Sequence, residues 1–123
     1  MALNPVRWFE IYVQDMNRAK KFYEAVFEVS LEKLNTGELE YYSFPMHMNE
    51  EGSSGALAKM DDVTSGGNSI IVYFACEDCA VEESRVEKNG GKIKQTKISI
   101  GEYGHISLIY DTEGNLIGLH SMQ

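Results

Sequence analysis

The chain has 123 residues, 43% of them apolar and 11% aromatic, which suits one domain burying roughly two-thirds of its unfolded surface and excludes a disordered polymer. Its 11 basic and 19 acidic residues give a formal net charge of −8, so neither a nucleic-acid backbone nor an anionic membrane surface is an expected partner. No apolar run approaches the ~18 residues of a membrane span, and Met1-Ala2-Leu3-Asn4-Pro5 lacks the basic-then-apolar order of a secretory signal, so the expectation is a cytoplasmic protein.

Val6 to Val13 is rich in strand formers. A period of two puts Trp8, Glu10 and Tyr12 on one face and Phe9, Ile11 and Val13 on the other; the second set is wholly apolar and should meet helices, leaving the first to line whatever the sheet encloses. Asp15 is the N-cap of a helix whose Ala19, Phe22, Tyr23, Val26 and Phe27 form one stripe, with Lys20, Lys21 and Glu24 left for solvent. Extended pieces are expected near Ser30 to Leu34, Glu38 to Phe44 and Gly55 to Lys59, with turns at Asn35-Thr36-Gly37 and Asn49 to Ser54. Asp61 to Asn68 has linker chemistry.

The order then repeats. Ser69 to Ala75 is strand-like, Asp78 caps a helix over Ala80 to Lys88, and Asn89-Gly90-Gly91 closes it with a glycine able to take the left-handed cap. Lys92 to Lys97 is extended, and His105 to Tyr110 and Leu116 to His120 flank Asp111-Thr112-Glu113-Gly114-Asn115, a hairpin turn. Asp15 and Asp78 stand 63 residues apart, about half the chain. The expectation is therefore an α+β domain over residues 1–123 built from two βαβββ repeats, about 4–60 and 68–122, which pair to bury their apolar faces and leave a cleft.

These residues resemble a known family. Asp15 with Arg18-Ala19, Phe22-Tyr23 and Phe27, then Gly90-Gly91, then Asp111-Thr112-Glu113-Gly114-Asn115 are similar to three landmarks of the glyoxalase / bleomycin resistance / extradiol dioxygenase superfamily, the vicinal oxygen chelate proteins. The resemblance implies curved sheets around a shared cleft, a homodimer, and in many members a divalent metal held by His and Glu, acting as a Lewis acid on vicinal oxygens. It further implies that the first ligand position falls on Trp8, the one opening the second half on or near Ile71, the glutamate of the last strand on Gly118, and the remaining one around Ala56 and Leu57. None of these side chains donates a lone pair to a cation, so no metal and no cofactor are expected at the usual site.

Several residues remain as candidates for chemistry. Glu10, between Trp8 and Tyr12, is a carboxylate in a partly apolar cleft, where a raised pKa suits a general acid or base; the alternative is an edge-exposed or salt-bridged acid near Arg7. His120 shares the strand face of Gly118. A four-residue hairpin loop would set Gly118 opposite Ile109 and His120 opposite Ser107, with His105 on that face too, so that Glu10 with His105 or His120 offers a relocated metal site. Otherwise these histidines are simply solvated or hydrogen-bonded. Glu10 and His120 are thus the catalytic candidates, and Trp8, Tyr12, Tyr73, His105, Ser107 and Gly118 the ligand-binding ones. The aromatic set Trp8, Tyr12, Tyr41, Tyr42, Tyr73 and Tyr103 suits a flat or cationic molecule, or else ordinary sheet packing. His47 is expected in a loop at the cleft mouth beside two methionines, and Gly101-Glu102-Tyr103-Gly104 as a cover before a strand. Cys76-Glu77-Asp78-Cys79 has redox spacing, but its two intervening acids favour ordinary reduced thiols.

The functional expectation is a small-molecule-binding member of the resembled family without the usual ligands. Two alternatives stand beside it: a metal-dependent lyase, isomerase or dioxygenase with relocated ligands, related to lactoylglutathione lyase if it is an enzyme, and a drug-sequestering protein of the bleomycin-resistance kind, for which acidity and aromatic residues suit a basic ligand.

Overall fold

In the computed structural model, which describes residues 6–37, 39–47 and 49–123, two four-stranded mixed sheets are built from the two halves of the chain. The first sheet runs β1 (Trp8–Tyr12), β4 (Ser54–Lys59), β3 (Glu40–Ser43), β2 (Glu32–Lys33) across its width, and the second runs β5 (Tyr73–Ala75), β8 (Leu116–Ser121), β7 (His105–Tyr110), β6 (Lys92–Ser99). In each, the first strand pairs parallel with the last and the rest are antiparallel. Helices α1 (Met16–Phe27) and α2 (Cys79–Val86) follow β1 and β5, so each half is strand, helix, three strands.

The caps stand where the repeat places them. Asp15 accepts a hydrogen bond from the Arg18 backbone N–H (3.1 Å) and Asp78 one from that of Ala80 (3.0 Å), each satisfying a first-turn donor that has no helical partner. Gly90 takes the left-handed conformation (φ +96°) after α2. Met16, Ala19, Phe22, Tyr23 and Val26 are the buried residues of α1, and they share one core with Ile11, Val13 and Leu57 of the first sheet and with Ile109, Ile117 and Leu119 of the second. Each fully buried large side chain there contributes on the order of 1.5–3 kcal/mol. Neither half closes this core alone.

Some expectations shift. Lys20 and Glu24 are not simply solvated: they pair at 3.4 Å, Lys20 lies over the Tyr42 ring, and Glu24 accepts from the Leu31 backbone N–H. The strand expected from Ser69 begins only at Tyr73, because Asn68 accepts from the Leu116 N–H and donates to the Ile70 and Leu116 carbonyls, replacing ladder bonds with side-chain ones. Met1 to Pro5, Glu38 and Met48 lie outside the described residues, including the start of the expected first half.

The Asp111 to Asn115 turn joins the two halves. Glu113 accepts from the backbone N–H groups of Gln14 and Asp15 (both 3.0 Å) and from the Arg18 guanidinium (2.7 and 2.9 Å). Asn115 donates to the Tyr12 carbonyl and accepts from the Gly66 N–H, and Asp111 accepts from the Tyr23 hydroxyl (2.8 Å). Burial pushes the Asp111 carboxyl up, although the bonds from Tyr23, Asn115 and Glu113 act the other way.

Candidate functional site

Because Phe9, Ile11 and Val13 pack into the core, Trp8, Glu10 and Tyr12 are left on the open face of the first sheet. The Glu10 carboxylate is held there from both sides: Trp8 Nε1 donates to one oxygen (3.2 Å) and the Tyr12 hydroxyl to the other (2.8 Å). That bond, then partial burial and the Glu10 charge, push the Tyr12 hydroxyl pKa up to about 12. Register sets Ala56 beside Glu10 and Ala58 between Tyr12 and Tyr41, so small side chains leave the carboxylate room, while Leu57 turns into the core. Tyr42, unlike Tyr41, also faces the core.

Beside β1 lies a pocket of about 310 Å³ that Glu10 and Tyr12 share with Val63, Ile70, Val72 and Leu116. Among the described residues Glu10 is its one charged lining residue, a few polar groups in a mostly apolar wall being what a ligand pocket needs for orientation.

On the second sheet Tyr73 pairs with Gly118 and Ala75 with His120. A Cβ on residue 118 would overlap the Tyr73 ring, so glycine there is what lets the ring lie flat on the strand, filling the space where the last-strand glutamate was expected. His120 shares this open face, as expected from its spacing, and its Nε2–H donates to the Tyr103 carbonyl (2.7 Å), tying it to the short helical turn at Gly101–Tyr103.

His105 and Ser107 do not lie on that face. The hairpin pairs Tyr110 with Leu116, so five residues rather than four lie beyond the last pair, Gly118 stands opposite Leu108, and His120 stands opposite Ile106. A slip of one residue turns every side chain over. The cause is Asp111, whose Oδ1 accepts the Glu113 and Asn115 backbone N–H groups (both 2.8 Å), with the Asp111 N–H bonded to the Asn115 carbonyl. Ser107 therefore points at α2, donating to Glu83 Oε1 (2.9 Å), which also accepts the Lys97 N–H left free by the irregular β6 to β7 pairing. His105 lies on the same side near Asp78, and its Nδ1 is buried with no partner among the described residues.

The residues at the expected ligand positions, Trp8, Ala56, Ile71 and Gly118, offer no donor set for a divalent cation, and among the described residues no group of three or more His, Cys, Asp or Glu side chains converges to hold one. Glu10, His105 and His120 do not converge either, since the two histidines occupy opposite faces of the second sheet. Cys76 is half-buried, Cys79 is buried, and both are free thiols. Burial first, then the charge of Glu82, pushes the Cys76 thiol up to about 12, far from the range of a reactive pair.

The model of the Glyoxalase/Bleomycin resistance protein/Dioxygenase superfamily matches residues 6–119. The chain belongs to that superfamily. Solved structures share the fold of this superfamily member at low identity. A hypothetical protein from S. aureus is 14% identical with a TM-score of 0.74, covering 98% of this chain and 95% of its own. FosX, a genomically encoded fosfomycin resistance protein from Listeria monocytogenes, is 16% identical with a TM-score of 0.72, covering 98% and 92%. TnmS3, an antibiotic binding protein from Streptomyces sp. CB03234, is 20% identical with a TM-score of 0.68, covering 98% of each chain. No curated protein matches the sequence.

The strand period placed Trp8, Glu10 and Tyr12 on one face, where the structure has them, and did not single out two glutamates of α2. Glu82 and Glu83 stand three and four positions after the buried Cys79 and before the buried Val86, on the inward stripe of α2. Acids at core-stripe positions were the available signal.

Proposed function

We propose that this superfamily member binds a small organic molecule without the usual His and Glu metal set, on the face bearing Trp8, Glu10 and Tyr12 and the pocket beside it. The observation that carries the reading is the Glu10 carboxylate, fixed by two aromatic donors at the wall of a mostly apolar pocket. A fixed carboxylate between ring edges selects a ligand with a protonated nitrogen and a flat body. Tyr73, laid over Gly118, and His120 extend the ligand surface.

The same observation, with the net charge of −8, favours sequestration of a basic drug-like compound over turnover as the form this binding takes. A cytoplasmic homodimer belongs to this proposal, supported by two unpaired thiols and by the partly exposed Trp8 and Tyr73 on the sheet faces. No described helix is long and apolar enough to cross a membrane.

The test is a thermal-shift screen of basic antibiotics, α-oxoaldehyde thiol adducts and catechols, followed by calorimetry on each hit with the wild type and Glu10→Gln. A basic compound should raise Tm, and its affinity should fall at least tenfold in the variant. Binding indifferent to Glu10, or binding abolished by a metal chelator, would refute the reading.

A further inference from the structure

A second cavity, of about 490 Å³, opens where the edge strands β1 and β5 face each other. Its floor is aromatic: Phe74 stacks on Phe27 (4.6 Å between ring centres, 27° between planes) and meets Phe9 and Phe44 edge-on at 5.8 and 5.4 Å. Its charged lining residues are Glu51, at the exposed rim, and Glu82, from α2; no Lys, Arg or His is among the described lining residues.

Glu82 is the unexplained part. Its Oε1 is buried and has no hydrogen-bond partner among the described residues. The neighbouring Cys76 thiol, a weak donor with one hydrogen, has both the Phe74 carbonyl (3.6 Å) and the Glu82 carboxylate within reach. A buried carboxylate oxygen without a strong donor is costly. The repeat offers the inert choice, because the residue at the corresponding position of α1 is Ala19, fully buried in the core. The adjacent Glu83 has its donors in Lys97 and Ser107, so burial of an acid on this stripe is satisfied at one position and left open at the next. Complementing the positive end of the helix is served equally by an exposed acid in the first turn and does not require burial.

We propose that this cavity is a binding site for a primary or secondary amine carrying an aromatic or similarly apolar group, with the protonated nitrogen pairing with the Glu82 carboxylate and the apolar group lying on the Phe9, Phe44 and Phe74 rings. The volume falls within the about 300–1,000 Å³ of ordinary ligand pockets. The carboxylate supplies a charged acceptor that an alcohol of the same shape uses far less well than an ammonium does. The two cavities share Phe9 and Val72, and Tyr73 borders this one, but each has its own carboxylate, Glu10 in the first and Glu82 here, so the two readings are tested by different variants.

Phenethylamine and its neutral isostere 2-phenylethanol, titrated into ¹⁵N-labelled protein, test it. The amine should shift the amides of Phe9, Phe74 and Glu82, and bind at least tenfold more tightly than the alcohol. Glu82→Gln, or Glu82→Ala should the first variant fold poorly, should remove that preference, while Glu10→Gln should leave the amine affinity within twofold. Equal binding of amine and alcohol, no shifts at these amides up to about 10 mM amine, or a tenfold loss caused by Glu10→Gln and not by the Glu82 variants would overturn the proposal. The last result would leave the Glu10 reading standing, and the predicted result with an unresponsive Glu10 face would do the reverse.

Discussion

Arg18 Nε donates to Glu113 Oε2 at 2.7 Å across 95 residues of sequence, and through that bond the last hairpin of the second repeat holds the strand-to-helix corner of the first. The Glu113 side chain carries no exposed surface. Burial alone would raise its pKa, but the Arg18 guanidinium, the Asp15 and Gln14 backbone N–H groups and the Thr112 hydroxyl outweigh burial and hold it at about 2. Glu113→Ala strands two backbone donors at the start of α1 and should cost about 2–3 kcal/mol, seen in calorimetry as a Tm lower by roughly 10 °C. Because the folded pKa is depressed, this contribution is complete above the unfolded value near 4.5 and is lost as pH falls toward 2. The wild-type stability curve should therefore drop across that window and the Glu113→Ala curve should drop less.

Tyr73 and Gly118 should behave as a coupled pair. Gly118→Ala leaves the backbone unstrained, since only an exposed ring must move, so its stability cost should stay below about 1 kcal/mol. Tyr73→Ala in the same background should remove even that cost. A double-mutant cycle in urea, giving a coupling energy of at least about 0.5 kcal/mol, checks the contact; strict additivity would mean the ring does not lie over residue 118.

How far the sequence foretold this arrangement depends on which signal each feature carried. Both helices, their aspartate caps and the inward set Phe9, Ile11 and Val13 were legible, because side-chain period and cap chemistry are local. The placing of Trp8, Glu10 and Tyr12 followed from the same period. The faces of His105 and Ser107 were not legible, since they depend on one residue of hairpin register set by the side chain of Asp111. Tyr23 holds Asp111 from a helix 88 residues away, a contact no local pattern contains. The open Glu82 oxygen was half legible: an acid on an apolar stripe marks an oddity, but only the structure separates it from Glu83, which has its donors.

Tyr12 should titrate abnormally. The hydrogen bond to Glu10 is the main cause of its raised pKa, so Glu10→Gln should bring its ionisation down from about 12 toward the ordinary 10. Tyrosine ring carbon shifts followed by NMR between pH 9 and about 11.5 measure this in the intact fold. Unchanged titration of Tyr12 in the variant would mean that the pair does not form in solution.

The thiols should be inert while the chain is folded. Cys79 is fully covered, and its backbone N–H rather than its sulfur makes the local contact, donating to Ser121 Oγ at 3.0 Å. Cys76 is accessible in part, but with its thiol pushed up to about 12 the thiolate fraction near pH 8 is on the order of one in ten thousand. Iodoacetamide at that pH should thus label native protein at least a hundredfold more slowly than free cysteine, and guanidinium unfolding should release two rapidly reacting thiols. Glu82→Gln removes the second cause of the Cys76 shift but not burial, so labelling should quicken only modestly. Acceleration to the rate of free cysteine would instead assign the low reactivity to the Glu82 charge and not to the packing around it.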